Sequence, residues 1–257
     1  MHESRTPTNR IIFEGMVNIK DMLKKGRDLL LARAPHILIL GGIQYLALST
    51  LAMALYPGGT KYDPSTAGYL FWNNMISDMG RTVAHNGAQN TASCALFVTA
   101  MNILAVTFIP YYISLSSLFS SNTKVNSYAR IAASLGIATG VLLALAAAFP
   151  QDLFQQLHLR FAQFSFVALA PAIIIYWWLM RGDARFPRPC SLTFLAFAIT
   201  ILVGIGITIA SGAGIDVVTV TVQATTQKIM VYGWNACMPV MAWCLWHNHP
   251  IKKENAP

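Results

Sequence analysis

The sequence predicts an all-α, polytopic membrane protein: a bundle of six transmembrane helices with an N-terminal amphipathic helix and a short extracytoplasmic interfacial helix. Three observations predict this class. Only 11% of the 257 residues are charged and 55% are hydrophobic, with a mean hydropathy of +0.50. A soluble domain carries about a quarter charged residues, so this chain has too little charge to cover a water-facing surface. Six apolar runs follow one another, each near the roughly 20 residues needed to cross a bilayer. The basic residues gather in the segments between alternate runs, as membrane orientation demands.

Residues 1–34 form a polar, basic cytoplasmic segment. Ile12, Met16, Ile19 and Leu23 recur on one helical stripe, with Lys20, Lys24, Lys25 and Arg27 around it. That pattern predicts a helix lying on an anionic membrane surface. The transmembrane domain is expected over 35–247, with spans at 36–56, 92–118, 131–149, 153–180, 191–212 and 225–246, and a cytoplasmic tail at 248–257. Ala52-Met53-Ala54 resembles a small-residue cleavage site, but the basic stretch before span one is too long for a signal peptide, and the span is expected to be retained. Pro110, Pro171 and Pro239 lie within spans and should bend them. Gly136 and Gly140 make a GxxxG pair, which could join a second copy but serves packing within one bundle equally well.

With the N-terminus inside, the outer side receives Lys61, Arg81, Arg160 and Lys228 and the cytoplasmic side the other 14 of the 18 Lys and Arg. Both termini are therefore expected in the cytoplasm of a cell-membrane protein. The net charge of +8 is spread through short connectors, with no basic groove, so nucleic acid is excluded as a partner and membrane lipids are expected instead. Cys94, Cys190, Cys237 and Cys244 contain no CxxC and fall at different depths on this topology. Neither a structural disulfide nor a zinc knuckle is expected, and no cofactor or metal site is assigned.

The connector after span one, Tyr56 to Ser93, holds most of the polar groups able to do chemistry. Tyr56-Pro57-Gly58-Gly59 and Asp63-Pro64-Ser65 read as turns. Tyr69–Met79 has helical spacing, with Tyr69, Trp72, Met75, Ile76 and Met79 on one face and Asn73, Asn74, Ser77 and Asp78 on the other; Gly80 is placed to cap it. Arg81 and His85 follow. His85 suits a general base, a metal ligand or a hydrogen-bonded loop residue.

Further polar groups share the outer end. Asp152 suits either the N-cap of span four or a site carboxylate. Asp152, Gln156, Arg160 and Gln163 fall on one stripe that should look into the bundle, with Arg160 paired to Asp78 or Asp152, and Gln155 and His158 lie on the next stripe. In span six, Gln227, Lys228 and Tyr232 repeat the theme, and Lys228 either snorkels to headgroups or meets a ligand. His247 and His249 are a weak metal signal at the opposite end.

The loop run from Tyr56-Pro57-Gly58-Gly59-Thr60 through Asn74-Met75-Ile76-Ser77-Asp78-Met79-Gly80 to Asn86-Gly87 and Asn90 resembles a family of six-span bacterial and archaeal membrane proteins of unassigned function. That family carries an N-x-x-S-D-hydrophobic-G signature after span one. Phe149-Pro150-x-Asp152 followed by His158, and Gln227-Lys228, fit the same pattern, so the resemblance covers about 36–246. The family is distantly similar in layout to the Frag and DRAM membrane proteins. It implies a fold and marks positions, but it supplies no reaction. A fainter resemblance is to alkaline-ceramidase-type hydrolases, which place a Ser, an Asp and several His around zinc. It would cast Ser77, Asp78, His85, Asp152 and His158 in those roles, yet such enzymes have seven spans and an HxxxH in the last, and this chain has neither.

Three functions remain open. The first is a non-enzymatic protein whose outer pocket binds a lipid headgroup or small anion through Asn74, Ser77, Arg81, Gln156, Arg160, Gln227, Lys228 and Tyr232. The second is a membrane-embedded hydrolase or transferase working through Asp78, His85, Asp152 and His158. The third is a small transporter, which the lack of internal repeats disfavours.

Overall fold

A computed structural model describes residues 7–120, 122–212 and 214–248, and for 7–20 the backbone path alone. It contains six long α-helices: α1 (Pro7–Ala54), α2 (Thr91–Ser117), α3 (Thr123–Ala148), α4 (Gln155–Arg181), α5 (Arg188–Ser211) and α6 (Val217–Asn248). Five of them are long and apolar enough to cross a membrane. The sixth, α6, has the length, but Thr219, Thr221, Gln223, Thr225, Thr226, Gln227 and Lys228 make its first half polar.

The N-terminal amphipathic segment and the first span are one helix, α1, of 48 residues. At 1.5 Å per residue it is roughly 70 Å long, about twice the bilayer core. On the proposed amphipathic stripe, Leu23 is exposed, while the side chains of Ile12, Met16 and Ile19 lie outside the described residues.

Short connectors join α2 through α6, so each helix packs on its chain neighbours, and α6 closes the ring against α1. Buried aromatic rings fill the middle. Phe108 lies 4.5 Å from Trp234 and Tyr112 6.1 Å from Tyr176, while Tyr176 also meets Phe194. Leu40, Ile43, Val106, Ile131, Val203 and Ile229 face outward and form the apolar surface that lipid requires.

Close helix approach depends on small residues. Gly136 and Gly140 are buried against α2, where a Cβ on Gly136 would stand 2.4 Å from the Tyr112 ring and one on Gly140 2.9 Å from the Ala105 carbonyl. The fold itself therefore occupies the surface that the sequence offered to a second copy.

Two expectations are corrected. Cys190 and Cys244 form a disulfide, with Cα atoms 5.9 Å apart and both residues fully buried. Cys190 lies in the first turn of α5 and Cys244 in the last turns of α6, at one end of the bundle where the two helices pack together. Cys94 and Cys237 are free.

The expected interfacial helix over Tyr69–Met79 does not form. Leu70–Asn74 is a hydrogen-bonded turn, Met75 is extended, and only Ile76–Gly80 is helical, as a single 3-10 turn. Asp78 Oδ2 takes the Met75 N–H at 2.8 Å, a donor the helix would have given to the Phe71 carbonyl, and Asn74 Oδ1 closes the preceding turn by accepting from Leu70 N–H at 2.9 Å. Gly80 does not act as a left-handed cap. It is glycine because a Cβ there would lie 2.7 Å from the Phe97 ring.

Gly136→Ala is expected to destabilise the bundle by ~1–3 kcal/mol through overpacking against Tyr112, read as a lower Tm in detergent. Gly206→Ala, with nothing within 4 Å, should lose nothing. Alkylation of the denatured, unreduced protein should label Cys94 and Cys237 only, with Cys190 and Cys244 reacting after reduction.

Candidate functional site

The loop between α1 and α2 folds on itself before it meets the helices. Gly59 N–H bonds the Thr66 carbonyl at 2.8 Å to close a first turn, and Ala84 N–H bonds the Ala88 carbonyl at 2.9 Å to close a second. The two are joined by Asn86 N–H on the Gly58 carbonyl at 3.2 Å. Gly59 sits at φ +83°, and any Cβ would meet Asn86 N at 2.4 Å, so this contact demands glycine.

Between this loop and the start of α4 lies a cleft of about 200 Å³. Its charged lining is Lys61, Asp78, Arg81 and Asp152, and His85, Met75, Gln151 and Gln155 complete it. The Asp78 carboxylate is buried. One oxygen meets His85 Nε2 at 3.1 Å, and the other accepts from Met75 N–H and, at 3.1 Å, from Asn74 Nδ2. Asp152 is bound across the cleft to the second loop turn. It accepts from Thr82 N–H, from Thr82 Oγ1 at 2.6 Å and from Val83 N–H at 3.0 Å. Burial alone would raise the Asp152 carboxyl, but these three donors hold it below the ordinary 3.8.

Both cations of the cleft lack a carboxylate partner among the described ion pairs. Arg81 Nε donates to the Val83 carbonyl at 3.0 Å and Lys61 Nζ to the Gly214 carbonyl at 3.3 Å. Among the described residues no three of His, Cys, Asp and Glu converge on one point, so the cleft offers no ready metal cage.

The residues expected to form the site divide into three groups. Asp78, His85, Arg81 and Asp152 meet in the cleft. His158, Ser77, Gln227, Asn74, Lys228 and Tyr232 lie behind or beneath the loop. His158 is buried, with Nδ1 on the carbonyls of Ala146 at 2.8 Å and Phe149 at 3.1 Å. Ser77 Oγ donates to Gln151 Oε1, and Gln227 Oε1 accepts from Ile76 N–H at 2.7 Å. Asn74 braces the loop by donating to the Gly59 carbonyl at 2.8 Å. Tyr232 stacks on Phe71.

Lys228 does not snorkel. It is 2% exposed, donates to the Asn74 carbonyl, and lies 5.4 Å and 5.2 Å from the centres of the Tyr69 and Phe71 rings.

Gln156 and Arg160 form the third group, on the outer face of α4 with Gln163, where all three are exposed. The expected inward stripe and the Arg160 ion pair with Asp78 or Asp152 are thus corrected. The stripe fails because Pro150–Phe154 is a turn and α4 begins only at Gln155, so Asp152 is out of helical phase with Gln156. Arg160 is about 8 Å along α4, close enough to the end to reach headgroups. Asp152 also does not cap α4, because its acceptors are spent on Thr82 and Val83.

Lys61, Gln151, Gln155 and Met75 are cleft residues that sequence reasoning did not select. Gln151 adjoins Asp152 in the connector before α4, and that adjacency was the available signal; Lys61 gave none beyond its side of the membrane. His247 stacks on Trp243, and His249 lies outside the described residues.

A lowered carboxyl adds stability above its unfolded value and loses it as pH falls through the folded one. Acidification below about pH 4 should therefore loosen the loop from α4, and Asp152→Asn should remove that pH dependence. Thr82→Val should cost about 1 kcal/mol at neutral pH, low for a charge-assisted bond because Asp152 is partly solvated. Hydrogen exchange at Val83 reads both effects. Compared with family models, with curated proteins and with solved structures, the chain matches none. The fold establishes a helical, multi-pass membrane protein.

Proposed function

We propose that the protein binds an anionic group, a lipid headgroup or small soluble anion, in the cleft between the first loop and the start of α4. One observation carries this reading. Lys61 and Arg81 line the cleft without carboxylate partners, while the Asp78 and Asp152 carboxylates are occupied by donors from the protein itself. The formal charges of these four groups balance, but the carboxylates are held by several protein donors, while Arg81 and Lys61 each give a single bond to a carbonyl among the described residues. A guanidinium with donors to spare is well shaped to receive phosphate or carboxylate oxygens.

The distribution of basic residues supports an extracytoplasmic cleft with both termini in the cytoplasm of the cell membrane. The Cys190–Cys244 bond lies at the opposite end; being fully buried, it is out of reach of soluble thiols and fits either side. The Asn74–Gly80 run supports kinship with the six-span family carrying the N-x-x-S-D-hydrophobic-G signature.

The Asp78–His85 contact favours a second reading, a hydrolase or transferase acting on the bound headgroup. With Nε2–H donated to Asp78, neutral His85 keeps an acceptor at Nδ1 that could take a proton from water. His158, in a separate chamber, has no part in that step.

The binding reading is tested by native mass spectrometry of protein released from nanodiscs of phosphatidylglycerol or phosphatidylcholine. Retention of phosphatidylglycerol should fall at least about tenfold in the Lys61→Gln/Arg81→Gln double variant and far less in Arg160→Gln, which removes one headgroup contact outside the cleft. Equal loss in Arg160→Gln would mean that only general surface charge is at work. Lipid cleaved by the wild type but intact with His85→Ala would select the hydrolase.

A further inference from the structure

Beneath the 3-10 turn, the ring of helices leaves a central cavity of about 60 Å³. It is separate from the cleft: Ile76 and Ser77 face it from the same turn that presents Asp78 and the preceding Met75 to the cleft. Its walls come from α1, α2, α3, α4 and α6, and most of them are apolar. A cavity of purely apolar lining stays dry. This one does not have such a lining.

Tyr45 is completely buried, and among the described residues its hydroxyl has no hydrogen-bond partner. Asn235 Oδ1 is likewise buried and unpartnered. The Asn235 assignment is fixed by its other end, because Nδ2 donates to the Val231 carbonyl at 2.9 Å. His158 also lines the cavity. Its Nδ1 faces two carbonyls and so carries a proton, which leaves Nε2 as an acceptor in the neutral ring. Buried polar groups are almost always satisfied, and here the residues that carry a donor and two acceptors line one cavity.

We propose that this cavity is a second binding site, selective for a neutral hydroxyl group that accepts from Tyr45 and donates to Asn235 or His158; water, with two hydrogens, serves both acceptors and an alcohol one of them. The chemistry excludes guests that cannot both accept and donate. A carboxylate or phosphate cannot donate. An ammonium would leave the Tyr45 hydrogen unmet and place a bare charge in hydrocarbon. A carbonyl accepts but cannot donate, and an alkyl group does neither. Two sources supply a hydroxyl. Ordered water fits the size, since one molecule needs only about 10–15 Å³ of such space. The alcohol end of an amphiphile could enter from the lipid. The inference is independent of the anion reading of the cleft.

The test is a structure of the full chain in lipid at a resolution that shows water, together with a sample under xenon. Discrete density within hydrogen-bond distance of Tyr45 Oη and Asn235 Oδ1, with no xenon in the cavity, supports water. Density continuing from that position into the lipid supports the amphiphile's alcohol. A cavity that takes xenon, or a Tyr45 bonded directly to Asn235, overturns the proposal. Thermal unfolding of Tyr45→Phe, Asn235→Leu and the double variant provides a check that does not need density. A shared guest predicts a Tm shift in the double variant that departs from the sum of the two single shifts, and additive shifts overturn it.

Discussion

The loop end of this protein depends on the Asp78 carboxylate. Four donors and acceptors converge around it and its neighbour Asn74. Asp78 receives the Met75 amide, the Asn74 side chain and His85, Asn74 reaches on to Gly59, and Lys228 on α6 donates to the Asn74 carbonyl. A carboxylate at this depth would be costly alone, but surrounded by donors it becomes the point that ties two loop turns to a helix. The same contacts explain why no interfacial helix forms: the Asp78 side chain that fixes the loop takes the Met75 amide a helix would need.

The 3-10 turn that carries Asp78 is also a partition. Met75 and Asp78 open to a polar cleft bounded by Arg81, Lys61 and Asp152, while Ile76 and Ser77 roof the central cavity. Ser77 bonds Gln151 and Ile76 bonds Gln227, so the partition is fastened to the α3–α4 connector on one side and to α6 on the other. The floor of the cleft and the roof of the cavity are thus one turn of backbone. The polar first half of α6, which lowers its hydropathy below that of its neighbours, is the half that holds this loop.

Much of this was legible in sequence because the bilayer imposes length and composition directly. The six apolar runs became six helices, with ends shifted by a few residues except at α3 and α6, which begin eight residues before the expected spans, and at α1, which runs unbroken from Pro7 through the N-terminal segment. Asp78, Arg81, His85 and Asp152 were chosen as polar groups at one depth, and they do share a cleft. His158 was chosen on the same ground and lies in the other chamber, because depth along the membrane normal says nothing about which side of a turn a side chain faces. The Gln156–Arg160 stripe misled for a related reason: helical phase was carried back through a proline turn that resets it.

The sequence by itself determined that the chain lives in lipid, that it has six long apolar runs, and that its polar groups crowd the connector after the first. These follow from transfer free energy and from turn residues, which are properties of single positions and short windows. Only the tertiary structure decided that Cys190 meets Cys244, that Gly136 and Gly140 are consumed by α2, that Lys228 turns inward to Asn74, and that Tyr45 and Asn235 border one space. Those depend on which helix faces which and at what rotation. In a bundle whose outer and inner faces are both apolar, hydrophobicity does not encode that rotation, and close packing between particular side chains must set it.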